Sequence, residues 1–402
     1  MVIPGGGISG GAVDGVVNLY VIDDASRMPV SGATVRVGTV DGTTDATGLF
    51  VANGVTGKQD VVVTAEGYRS VLWLGANGAN MTVDLNKANP PLTQATLSGS
   101  ITGFAQLTVP VGHLKAAFVS YSQDDLAVDA ENNLTTPANG NQCVVTTPNT
   151  GCNFQIVTRA GKVSLIAVIV DYDPHGTQAT TDDTMTLIGY AVKTGITVTD
   201  GQDQTAQDLA ILPSNELVTP SIDMGTLPSG LTQSVALVGI ELADDSGVFQ
   251  LPMANMIDQV PSLDSFTGAQ YRLSAIAQDP GATQQSIVLH RHQPSATALT
   301  AGTWTPPPTN ASASRIQASW TPVPGATIHG VEYASGSTGV LSITSFDGTS
   351  SATIPDLITM PTSSLTVKVQ ALQADGLDVN DFGIDADREK VTAIGVANLA
   401  VN

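Results

Sequence analysis

Two cysteines, Cys143 and Cys152, enclose the run VVTTPNTG, whose Thr-Pro-Asn-Thr-Gly tail has turn chemistry. That spacing suits a disulfide across the neck of a hairpin. A ring this small contributes about 2.5–3 kcal/mol in the loop-entropy description, and the bond implies an oxidising compartment. Two buried free thiols in a cytosolic chain are the alternative. Three acidic groupings can offer oxygens to a structural calcium ion, which takes about six to eight of them. The first is Asp124, Asp125, Asp129 and Glu131; the second is Asp171, Asp173, Asp182 and Asp183, directly after an apolar strand. The third lies in ADGLDVNDFGIDAD, where Asp378, Asp381 and Asp385 are the candidate ligands beside Asp375 and Asp387. It departs from the EF-hand pattern because Phe382 stands where Asp or Asn is required. Solvated turn residues are the plainer reading of all three.

The histidines are His113, His175, His290, His292 and His329. His290 and His292 are two apart, hence on one face of a strand, a spacing that can offer two imidazoles to a metal. No third ligand adjoins them, so an exposed edge-strand pair flanking Arg291 is the simpler expectation. Gly5-Gly6-Gly7-Ile8-Ser9-Gly10 formally fits GxGxxG, and Gly7 to Gly11 formally fits GxSxG. Both motifs need a preceding strand and a following helix, and four residues precede them. Nothing marks a nucleophile, base and orienting acid in a known relation, so no catalytic residue and no cofactor is assigned. Sugar binding usually needs aromatic platforms; aromatics are 4% of the chain, and Trp304, beside its proline run, is the one candidate for an exposed ligand-binding ring.

The elements that would carry these residues are strands. Only six of the 36 acidic residues are Glu, and Lys plus Arg number 15, while β-branched and turn residues abound. This composition favours short strands and tight turns over helices. At 402 residues the chain exceeds one ordinary core. A net charge of −21 disfavours nucleic acid, whose phosphates need clustered cations. No run of 18 apolar residues exists for a transmembrane helix. The longest apolar run, VSLIAVIV at Val163–Val170, reads as a strand buried on both faces.

Residues 13–90 read as a sandwich. The order Val21-Ile22-Asp23, Pro29 to Val35, Thr44 to Phe50 and Val61 to Tyr68 resembles the carboxypeptidase regulatory-like, or transthyretin-like, domain. That resemblance implies an accessory module of an exported bacterial protein, stabilising or adhesive, with no catalytic residues. Residues 1–12 read as a flexible Gly-rich tether with no signal peptide; export would place a removed signal, or a lipidated lipoprotein N-terminus, before it. Lys87 to Pro91 reads as a linker. Residues 91–213 form a second sandwich with the cysteine hairpin, and 214–300 a further β region, either its own sandwich or a completion of the second. Trp304 to Pro308 reads as a stiff polyproline spacer. The stretch RIQASWTPVPGATIHGVEYAS, SATIPDL and SLTVKVQALQADG, within 301–402, resembles a fibronectin type III domain, an immunoglobulin-like sandwich. The resemblance makes Trp320 the core tryptophan of an early strand, puts Tyr333 on the next strand, and sets Val367, Val369 and Ala371 on one buried face.

The expected fold class is therefore all-β, a tandem of sandwiches. The expected role is a non-enzymatic extracellular or cell-surface scaffold or adhesion protein. The alternative is a carbohydrate- or peptide-binding accessory module of an exported system. Expected partners are other surface proteins, polysaccharide or copies of itself. The uncharged terminal segment VTAIGVANLAVN is the expected edge strand for self-assembly.

Overall fold

The computed structural model describes residues 2–88, 94–122, 142–145, 150–176, 183–212, 217–243, 247–251 and 259–401. The chain is all-β, with short helical turns only. In the first unit the strands Asp14–Asp23, Leu49–Thr56 and Asn80–Leu85 form one sheet, and Thr34–Val37, Val40–Thr43, Gln59–Thr64 and Ser70–Ala76 form the other. Val17, Leu19, Val21, Val35, Val61, Val63 and Met81 alternate inward between them. The Asp45–Gly48 turn forms as its residues demand: Asp45 Oδ1 accepts from Thr47 N (2.7 Å) and Leu49 N (3.1 Å), and Gly48 takes φ +74°.

The Gly-rich opening is not a free tether. Gly7–Ser9 is a strand between Asn80–Leu85 and Phe382–Gly383, antiparallel to both, and Ile8 is fully buried. Glycine is required there by contact. A Cβ on Gly7 would lie 2.1 Å from the Phe382 carbonyl oxygen, and one on Gly5 would lie 2.1 Å from Asp385 Cγ.

The last unit pairs Ile328–Ser335, Thr338–Ser345, Leu365–Ala374 and Val391–Val401 in one sheet, faced by Thr309–Ala313, Gln317–Thr321 and Ser351–Thr353. Trp320, Tyr333, Val367, Val369 and Ala371 are buried. This unit does not hang from the first by a linker alone. Thr338–Ser345 pairs in parallel with Ser70–Ala76, from Leu341 opposite Ser70 to Ser345 opposite Leu74. Val62, Leu72 and Leu74 therefore face the Trp320 core, while Val61, Val63 and Trp73 face the first unit's own core. The unbroken apolar runs of both strands record this burial on two sides.

On the far side of the same sheet, Ala393–Ala397 of the terminal strand pairs with Gln284–Val288. The strands Gln284–Gln293, Gln270–Gln278, Gln233–Glu241 and Val248–Leu251 continue from there, making twelve strands among the described residues. The terminal strand is thus interior to the sheet, not the free edge its sequence suggests, because it finds partners on both sides. The proline run is no free spacer either. Pro307 and Pro308 are buried, and a Cβ on Gly395 would lie 2.2 Å from the Pro306 carbonyl oxygen.

The second unit packs Gln94–Thr102, Asn153–Arg159 and Leu209–Ala210 against the sheet Gln142–Val145, Leu114–Tyr121, Gly161–Asp173 and Thr184–Val198. Leu165, Ala167 and Ile169 face that core, whereas Ile166, Val168 and Val170 face Val238, Ile240 and Leu273 of the following stretch. Val163–Val170 is therefore buried throughout, as its composition predicts, and the strands after residue 232 form a third layer over it. Cys143 and Cys152 form a disulfide.

Candidate functional site

A cavity of about 960 Å³ opens where this third layer meets the loop before the terminal strand. A β-bulge builds one wall. Tyr271 pairs with Gln293 and Leu273 with His290, so Arg291 and His292 together oppose Arg272. His292 takes φ +57° at the bulge. Strand alternation is broken there, and His290 and His292 part company. His290 Nε2 hydrogen-bonds the Ala301 carbonyl (3.1 Å), whereas His292 turns into the cavity. The strand carrying them is interior, not an exposed edge.

A carboxylate stands at each nitrogen of the His292 ring. Nδ1 lies 3.1 Å from Glu241 Oε2 and Nε2 lies 3.3 Å from Glu389 Oε2, and the His292 N–H donates to Glu241 at 2.8 Å. Burial pushes the Glu241 carboxyl above its ordinary value, opposed by the His292 N–H and by the charges of His292, Arg272 and Arg291. Arg291 donates to the Val391 carbonyl (2.6 Å) and the Glu389 carbonyl (3.3 Å), tying the bulge to the turn Arg388–Lys390. Arg272 is 1% exposed. Arg388 also lines the cavity, and its Nε is buried without a hydrogen-bond partner among the described residues.

The described lining residues include no serine, threonine, cysteine or lysine. The two glutamates are on opposite sides of His292, whose ring fills the gap where the bond cleaved by a carboxylate pair would have to lie. The arrangement can hold a charged or polar guest.

The residues singled out in the sequence fall elsewhere. Asp171 Oδ1 lies 2.8 Å from His113 Nδ1; Asp173 Oδ2 lies 3.4 Å from His113 Nε2 and 3.7 Å from His175 Nε2. Asp183 accepts from the Tyr172 hydroxyl, and Asp182 lies outside the described residues, as do Asp124, Asp125, Asp129 and Glu131. Histidines thus occupy the space between these carboxylates. The part of His113 escaped the sequence reading because it stands just before the strand Leu114–Tyr121, 58 residues from Asp171.

Asp378 accepts from Asn380 N (2.9 Å), while Asp385 turns to Arg27, so Asp378, Asp381 and Asp385 do not share one centre. Among the described residues no group of three or more His, Cys, Asp or Glu is placed to hold a metal ion. Trp304 is no exposed platform. It is 7% exposed, packed with Leu231, Ala275 and Val288, and its Nε1 donates to the Met224 carbonyl (2.9 Å). Among the described residues no helix is long and apolar enough to cross a membrane.

No protein-family model matches the chain, and no curated protein does. Solved structures similar to it include the Bacillus anthracis TIE protein, with 9% identity over 71% of this chain and 50% of that one, at a TM-score of 0.15. The chain thus spans about half the length of that protein. The shaft pilin SpaA of Lactobacillus rhamnosus GG, as a variant, has 15% identity over 50% of this chain and 100% of its own, TM-score 0.15. A variant of the major pilin subunit of Bacillus cereus has 11% identity over 71% of this chain and 98% of its own, TM-score 0.17. Similarities this faint leave the function to be argued from the residues of the chain itself.

Proposed function

We propose that the chain is a non-enzymatic scaffold displayed outside the cytoplasm, in which separate β-modules are welded into one stiff body. The observation that carries this reading is the continuous twelve-stranded sheet, which hydrogen-bonds the first unit, the last unit and the third layer edge to edge. Backbone ladders resist shear and hinge motion better than flexible linkers do, which suits a spacer or adhesive stalk and serves no turnover. The Cys143–Cys152 disulfide supports an oxidising compartment. The resemblances of the first unit to carboxypeptidase regulatory-like domains and of the last to fibronectin type III domains support an adhesive or structural role. Its partners under this reading are other surface proteins, polysaccharide or copies of itself. Surface biotinylation of intact native cells tests the location, with labelling expected; protein found only in the cytosol with two reactive thiols under denaturation rejects it.

A second reading, an accessory module that binds carbohydrate or peptide, is favoured by one feature, the charged cavity around His292. Titration of the whole chain against glycan and peptide arrays separates the two readings.

A further inference from the structure

Three of the eight arginines of a chain with net charge −21 line one cavity: Arg272, Arg291 and Arg388. Two of the lining carboxylates are already engaged, since Asp385 is held by Arg27 and Glu389 faces His292. The third, Glu241, accepts from the His292 backbone N–H and stands 3.1 Å from its ring Nδ1. The described lining thus sets three arginines against three carboxylates, each of the carboxylates already facing Arg27 or His292. Arg291 is committed to backbone carbonyls and Arg272 is buried in the wall. Arg388 differs from Arg291 in that its buried Nε–H has no acceptor among the described residues, and a buried donor without a partner marks a place where an acceptor belongs.

We propose that this cavity binds a hydroxy-carboxylate, a uronate being the type case, with the carboxylate on Arg388 and the hydroxyls on Glu241, Glu389 and Gln270. The planar guanidinium fork matches a carboxylate, and the acidic and amide oxygens beside it accept from hydroxyl groups. No Phe, Tyr or Trp lines the described walls, so the large aromatic platform that stacks on a neutral sugar face is absent from them and recognition passes through polar and charged groups. A space of about 960 Å³ admits a guest of roughly disaccharide size. This assignment goes beyond the scaffold reading and does not depend on it.

Isothermal titration of the full chain with glucuronate, with a short oligouronate, with glucose and with inorganic phosphate tests the assignment. Glucuronate, the oligouronate or both should bind, at least roughly tenfold tighter than glucose or phosphate, and weaken as salt rises. Binding of the monomer identifies a free acid as the guest, and binding of the oligomer alone identifies a polymer. Arg388→Gln should weaken binding at least roughly tenfold while the thermal transition stays in place. If that variant loses the fold, Arg388→Lys, which keeps the charge and loses the fork, should still weaken binding several-fold. No uronate binding at millimolar concentration, or full affinity in a folded Arg388 variant, overturns the proposal.

Discussion

Nη2 of Arg27 donates to both carboxylate oxygens of Asp385, at 3.1 and 3.0 Å, although 358 residues separate the two. The ion pair sits where the first and last units close on each other, beside the strand Gly7–Ser9 and its partner Phe382–Gly383. It is a marker of that closure rather than its main cause. The side chains are 43% and 41% exposed, where water screens the attraction.

A double-mutant cycle on Arg27→Ala and Asp385→Ala, read by urea unfolding, should give a coupling below about 1 kcal/mol. A coupling above about 2 kcal/mol would mean that charge, and not the shared sheet, joins the ends.

Gly7→Ala should unseat the opening strand. The new methyl would meet the Phe382 carbonyl oxygen at 2.1 Å, at a backbone φ of +144° that side chains avoid. The expected cost is about 1–3 kcal/mol, with hydrogen exchange at Ile8 and Ser9 rising before exchange in Asp14–Asp23 does. Unchanged protection at Ile8 would contradict the placement of this strand.

Asp84 makes the same corner sensitive to pH. Burial, with Asp24 and Asp385 nearby, pushes its carboxyl up to about 6, while Arg27 and a backbone N–H pull the other way. A carboxyl raised in the folded state holds its proton more tightly there, so its contribution is complete below about pH 4 and is lost as pH rises through about 6. The loss is about 3 kcal/mol from this group. Glu241 is displaced in the same direction, whereas Asp41, Asp45 and Asp279 are held low by hydrogen bonds and act at more acid pH. Asp84→Asn should flatten most of the fall between pH 4 and 6 in denaturant titrations. An unaltered slope would show that Asp84 is not the responsible group.

Trp304→Ala should destabilise the chain by about 3–5 kcal/mol and leave uronate affinity unchanged. Loss of binding without loss of stability would restore Trp304 to the surface role its sequence setting suggests.

The class of fold was legible in the composition, and the most buried strand was legible in VSLIAVIV, because burial on two faces demands apolar residues at consecutive positions. Trp320 was expected in a core from the resemblance of its stretch to fibronectin type III domains, and it is buried. The pairing of Ser70–Leu74 with Leu341–Ser345 was not, since the ladder is made of backbone groups that every residue carries. Its only trace is that Val61-Val62-Val63 and Val71 to Leu74 do not alternate. The cavity was hidden by a one-residue bulge, which sends His292 away from His290. Arg388 and Glu241 lie 147 positions apart and share no motif. Trp304 was misjudged because a proline run reads as a spacer until something is seen to pack beneath it.

Calorimetry of residues 2–88 expressed alone tests the welded scaffold most directly. Without the last unit, Val62, Leu72 and Leu74 lose their cover and Gly7–Ser9 loses one of its two partners. The account predicts no cooperative transition for the fragment, against a joint transition of the first and last units in the whole chain. A fragment that unfolds cooperatively at the temperature of the whole chain would contradict it.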